Sequence, residues 1–142
     1  MAVSYQAEGV AMPDIRRRPV SKWIKEVAST YHKKVGDVSY IFCSDEYMLQ
    51  LNNRYLQHDY YTDIITFDYS SEEDISGDIF IGLDTVRSNS EKYGTDYYEE
   101  LHRVIIHGIL HLCGVNDKST EERADMTIKE NEALEILNNI NL

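Results

Sequence analysis

The sequence predicts an α+β fold, one domain over residues 1–142 with about four strands covered by helices. Three observations lead there. Short runs rich in β-branched and aromatic residues are separated by segments with helical spacing of their apolar residues. The length suits one sizeable core. The stretch Leu101 to Leu112 is apolar nearly all round, so it should be a helix inside that core.

The elements follow in order. Ser4 to Glu8 fits a first strand. Pro19 suits a helix first turn, and Val20, Trp23, Ile24, Val27 and Tyr31 recur at helical spacing after it. Val38 to Cys43 (VSYIFC) is a strand pattern, and Ser44 or Asp45 caps a helix carrying Tyr47, Met48, Leu51 and Tyr55. Asp63 to Tyr69 and Gly77 to Gly82 read as two more strands, with the polar SSEEDIS between them turn-like. Asp84 to Tyr93 fits a short helix ended by Gly94. Asp96 with Glu99 makes a capping-box pattern for the apolar helix, and Gly114 stops it. A last helix opens with Ser119-x-x-Glu122 and should bury Met126, Ala133, Leu137 and Ile140.

Composition excludes several classes. A hydrophobic content of 42% and 11 tyrosines argue for a folded chain. No apolar run approaches the ~20 residues of a membrane span, so no membrane partner is expected. The start, MAVSYQAEGV, lacks the basic flank and apolar stretch of a signal peptide, and a cytoplasmic location is the expectation. Cys43 and Cys113 then read as reduced, small buried hydrophobes. The net charge of −11 does not suggest a nucleic-acid binder, and no DNA partner is expected. From Asp14 to Lys34, however, seven basic residues face two acidic ones, a local balance of +5, so the rest of the chain carries −16. The simpler reading of Arg16, Arg17, Arg18 and their neighbours is the solvated face of a helix.

Chemistry concentrates in His107-Gly108-Ile109-Leu110-His111-Leu112-Cys113-Gly114-Val115-Asn116-Asp117. Side chains at i and i+4 lie one above the other, so two imidazoles there can converge on one divalent ion, zinc first among the candidates. Gly114 can adopt the left-handed conformation that turns the chain back. Asp117 then stands where H-x-x-x-H-x-x-G-x-x-ligand sites carry their third ligand, and carboxylate oxygen also binds zinc. The competing reading is two satisfied core histidines. On a helix His102 points away from His107, and His32 lies in the basic segment. Zinc peptidases with this spacing need a Glu directly after the first His as general base. Gly108 can neither take nor deliver a proton, so peptidase chemistry is not expected.

HGILHLCG followed by a ligand resembles the HGxLHLxGYDH signature of the YbeY family of metal-dependent endoribonucleases. Leu51 to Phe67 (LNNRYLQHDYYTDIITF) resembles that family's LNxxYRxKDxPTDVLSF, and Gly77-Asp78-Ile79 its GDI strand. The resemblance implies a mixed four-stranded sheet, a metal-binding core helix, and a zinc ion held in the family by three histidines. It also implies single-strand-directed RNA cleavage in small-subunit rRNA maturation and ribosome quality control, with RNA and the small ribosomal subunit as partners. Asp117 stands at the third histidine, Asn116 at the Asp before it, Leu56 at the family arginine, His58 at the lysine and Tyr61 at the proline. Metal ligands are then His107, His111 and Asp117. His58 and Arg54 are candidates to contact phosphate, although Arg54 sits roughly 200° from Leu56 on a helix. Asp63 would either orient a metal-bound histidine or bond backbone at the start of its strand. Asp78 reads as structural. The alternative functions are a ribosome-assembly factor with a structural metal and no cleavage, and a small-molecule metallohydrolase.

Overall fold

Apolar patterning sorts the strands into edge and centre. The structure, a computed structural model, describes residues 2–55 and 62–140. Its elements are β1 (Val3–Glu8), α1 (Arg17–Thr30), β2 (Lys34–Cys43), α2 (Asp45–Tyr55), β3 (Ile64–Asp68), β4 (Asp74–Gly82), α3 (Leu83–Tyr93), α4 (Tyr97–Leu112) and α5 (Thr120–Asn138). The sheet order is β1-β2-β4-β3; β1, β2 and β4 run parallel, and β3 is antiparallel to β4. The fold is therefore α+β with a mixed sheet. β1, at an edge, alternates half-buried and exposed residues. β2 is buried continuously from Tyr40 to Cys43, because helices cover both of its faces. Tyr40 and Phe42 join the main core, while Ile41 and Cys43 join a smaller cluster with Met48 and Ile65.

Two buried hydrogen bonds tie the helices in place. The indole N–H of Trp23 donates to the carbonyl of Ala133 at 2.7 Å, joining α1 to α5. The Tyr40 hydroxyl donates to the carbonyl of Ile105 at 2.8 Å, joining β2 to α4 two residues before His107. Ser44, rather than Asp45, caps α2: its hydroxyl accepts from the Tyr47 N–H at 3.2 Å. The Asp45 carboxylate accepts instead from the Thr85 hydroxyl at 2.8 Å. On α1 the side chains of Val20, Trp23, Ile24 and Val27 are buried, and Arg16, Arg17, Arg18, Lys22 and Lys25 are exposed, the solvated face the sequence suggests.

Three boundaries differ from the sequence reading. β2 starts at Lys34 and β4 at Asp74, earlier than the apolar runs indicate. Polar side chains hide both starts. In β4, Ser71 closes a turn with Asp74, its N–H bonding the Asp74 carbonyl at 2.9 Å. The ladder then begins inside the stretch SSEEDIS, with Ile75 fully buried. Ile140 lies past the end of α5 and is half-buried against the core rather than inside it.

Both cysteines are free thiols, Cys43 buried and Cys113 half-buried. Burial pushes the Cys43 thiol up to about 12 and the Cys113 thiol to about 11. A thiol reagent at pH 8 should therefore leave Cys43 unlabelled in the folded protein and label it once the chain is unfolded in urea. Rapid native labelling of Cys43 would contradict its enclosure between α2 and the sheet.

Candidate metal centre

α4 carries the site because one stripe of an otherwise buried helix stays open. Leu101, Val104, Ile105, Ile106, Ile109, Leu110 and Leu112 are buried, each contributing about 1.5–3 kcal/mol relative to exposure. His107 and His111 sit on the remaining stripe, with ring centroids 4.6 Å apart and planes crossing at 79°. Asp96 starts the helix by accepting from the N–H groups of Tyr98 and Glu99.

The far end is a Schellman turn. Gly114 takes φ 97°, its N–H bonds the His111 carbonyl at 3.0 Å, and the Val115 N–H bonds the Leu110 carbonyl at 2.9 Å. A residue with a Cβ is strained at that φ. α5 then begins at a complete capping box between Ser119 and Glu122. The short link between these two motifs holds Asp117 back over the helix end.

The result is a convergent donor set. Oδ2 of Asp117 lies 3.3 Å from Nε2 of His107 and 3.3 Å from Nε2 of His111. A tetrahedral ion with bonds of about 2.0–2.1 Å keeps neighbouring ligand atoms about 3.3–3.4 Å apart. A direct charge-assisted N–H···O bond is shorter, about 2.7–2.9 Å. Spacing and chemistry of these three atoms therefore fit one divalent cation, and they are a cluster of metal-ligating type among the described residues. All three side chains keep partial exposure, between 18% and 32%, toward a cleft of about 620 Å³.

Glu130 of α5 completes the centre, and the sequence reading missed it. Its side chain is nearly enclosed, yet it carries a carboxyl group, and that group has partners. Oε2 lies 2.6 Å from Nδ1 of His107, and Oε1 accepts from Arg103 Nη1 at 2.8 Å. Arg103 Nη2 in turn donates to Asn131 Oδ1 at 2.7 Å. With a carboxylate at Nδ1, the proton of neutral His107 stays on that nitrogen and Nε2 keeps its lone pair toward Asp117. A signal for Glu130 did exist. Met126, Glu130, Ala133 and Leu137 share one helical stripe, and a carboxylate on a buried stripe calls for a partner.

Electrostatics in the cleft follow from this arrangement. Burial alone would lower the affinity of His107 for a proton, but the hydrogen bond and charge of Glu130, with Asp117 and Asp63, outweigh it and raise the pKa. His111 is lowered, by burial first and by the charge of His107 second. Burial raises Asp63, and the charge of His107 opposes that.

The other sequence candidates fall in different places. Asp63 lines the cleft. The bond to His107 is made by Glu130 instead. Arg54 is exposed on the last turn of α2, with its guanidinium 5.8 Å from the Tyr55 ring, and is not among the residues lining the cleft. Leu56, His58 and Tyr61 lie outside the described residues. Asp78 sits within β4, opposite Ser39 and Phe67. His102 packs edge-on against Trp23 rather than lining the cleft, and His32 occupies the turn after α1.

Gly108 decides between chemistries. A Cβ there would lie 3.0 Å from Ile79 Cδ1 and 3.2 Å from Ile64 Cδ1. The position a zinc peptidase gives to its glutamate base is pressed against the sheet here.

Comparison with known proteins places this fold in a family. The family model described as "Endoribonuclease YbeY" matches residues 6–138. A protein of Parabacteroides distasonis named Endoribonuclease YbeY is 64% identical over 137 residues, covering 96% of each chain. One of Bacteroides fragilis with the same name is 61% identical, over 94% of this chain and 96% of its own. A solution structure of a Thermotoga maritima protein superposes with a TM-score of 0.68 at 25% identity, covering 96% of this chain and 89% of that one.

Two outcomes test this account of the centre. Glu130→Ala should weaken zinc binding about 10–100-fold in competition with a chromophoric chelator, since it frees the His107 ring to turn. Unchanged affinity would remove Glu130 from the centre. Gly108→Glu should lower the melting temperature, because a carboxylate is forced against Ile79 and Ile64, and should install no chelator-sensitive peptide hydrolysis.

Proposed function

The chain belongs to the YbeY endoribonuclease family, and on that premise we propose that it is a metal-dependent endoribonuclease cleaving single-stranded RNA in small-subunit rRNA maturation. The observation that carries this reading is the trio of Nε2 of His107, Nε2 of His111 and Oδ2 of Asp117, with both histidine–carboxylate separations at 3.3 Å. These residues would hold one divalent ion, zinc first. Such an ion supplies Lewis-acid stabilisation of the charge that develops on phosphoryl oxygens.

The chain's own residues do the rest. Glu130 and Arg103 hold the His107 ring in a ligating tautomer. The Schellman turn at Gly114 and the capping box at Ser119 hold Asp117 at the mouth of the cleft. The cleft, about 620 Å³, is partly open to solvent. A carboxylate ligand leaves a zinc site at +1 where three imidazoles leave +2, so the ion is a milder Lewis acid. Oxygen ligation also lets manganese or magnesium compete better than at an all-histidine site. His58 and Arg54 stay as proposed phosphate contacts. RNA and the small ribosomal subunit are the partners this function requires, and a cytoplasmic site of action goes with them. Among the described residues no helix is long and apolar enough to cross a membrane.

The test is cleavage of a single-stranded RNA by the purified protein. Activity should stop with a chelator, return with zinc or manganese, and be absent in His111→Ala. Asp117→Ala should lower metal occupancy at unchanged circular dichroism, and Asp117→His should restore zinc binding. Co-sedimentation with small subunits without any cleavage would favour the assembly-factor reading instead. Full metal content in Asp117→Ala would remove Asp117 from the ligand set.

A further inference from the structure

The cleft around the metal ligands is lined by the carboxylates of Asp63, Glu100, Asp117 and Glu130 and by two arginines, Arg103 and Arg123. A polyanion approaching this surface of a chain with net charge −11 meets repulsion unless cations face it. One divalent ion would bring the formal charge of that lining to about zero, so any local attraction must come from charge that is not already paired. The two arginines differ in this respect. Arg103 is committed: Nη1 lies 2.8 Å from the Glu130 carboxylate, and Nη2 bonds Asn131. Arg123, on the first turn of α5, is held by neutral acceptors. Nη1 donates to the Lys118 carbonyl at 2.8 Å and Nη2 to the Thr120 hydroxyl at 3.2 Å. Among the described residues no carboxylate forms an ion pair with it.

We propose that Arg123 is a substrate-binding residue of the endoribonuclease, contacting an RNA phosphate beside the metal centre. The inference rests on the reading above. Two hydrogen bonds orient the guanidinium and reduce the side-chain entropy lost on binding. Arg123 lines the cleft, and a guanidinium has five N–H donors, so three remain beyond these two. A planar guanidinium suits a phosphate because two parallel N–H donors match two of its oxygens. The same side chain links the Lys118 carbonyl to the start of α5, next to ligand Asp117. The substrate phosphate and the ligand loop therefore meet at one residue.

Arg123→Gln removes the charge and keeps a donor for the Lys118 carbonyl. Its zinc content, by elemental analysis, should equal that of the unmodified protein. Its KM for single-stranded RNA should rise about tenfold with kcat within about twofold, and the slope of log K against log salt should fall by about one. Arg123→Lys should recover the salt slope and part of the KM. If the unmodified protein neither binds nor cleaves RNA, the endoribonuclease reading fails and this inference with it. If it cleaves, and Arg123→Gln keeps both KM and salt slope, Arg123 contacts no phosphate and only this inference is overturned. A variant that weakens RNA binding solely in proportion to lost zinc overturns it as well, since the arginine then only supports the Asp117 loop.

Discussion

A helix apolar on nearly every side must be enclosed, and the enclosure of α4 is the constraint on which the rest of this molecule depends. Its packing surfaces are taken by β3 and β4, by α3 and by α5, with Tyr40 of β2 bonded to its backbone at Ile105. Close approach to the sheet needs Gly108, where any side chain would meet Ile79 and Ile64. The stripe of His107 and His111 is left partly open by this packing. The same packing places β4 against the residue between the two ligands, and in doing so excludes a glutamate base from that position.

Burying a carboxylate is costly unless it is paired, and Glu130 is paired twice. The chain Asn131, Arg103, Glu130, His107 crosses three times between α5 and α4, so the two helices are registered by the groups that orient the His107 ring. Stability and site geometry therefore share residues. Asp63 adds a further carboxylate to the cleft. The cleft is rich in carboxylates, a lining whose negative charge a divalent ion would neutralise. The guanidinium of Arg123 is then the cation of the described lining not matched by a carboxylate.

Much of the site was legible in the sequence because its rules are local. The i, i+4 spacing of the histidines follows from 3.6 residues per turn. Gly114 stops the helix through a φ that only glycine adopts without strain, and the offset to Asp117 follows from that turn. Ser119 and Glu122 form their capping box as the pattern indicates. Less legible was the polar beginning of β4, because serine and aspartate read as turn residues unless a neighbouring strand is known to supply hydrogen bonds. The choice between Ser44 and Asp45 as cap was open for a similar reason: Asp45 finds its partner in Thr85, on a different helix.

By itself the sequence determined the helices, the apolar runs of the strands, the α+β class, and a three-residue motif of metal-ligating type within eleven residues. All of these depend on backbone geometry over one or two turns, where each residue's neighbours in space are its neighbours in the chain. Only the tertiary structure decided that Glu130, twenty-three residues from His107, holds that ring, that Arg103 is spent on Glu130 while Arg123 is not, and that Gly108 faces the sheet. Those facts depend on how α5 is docked across α4 and how α4 lies on β4. Such docking is set by burial summed over the whole core, and no stretch of sequence encodes it locally.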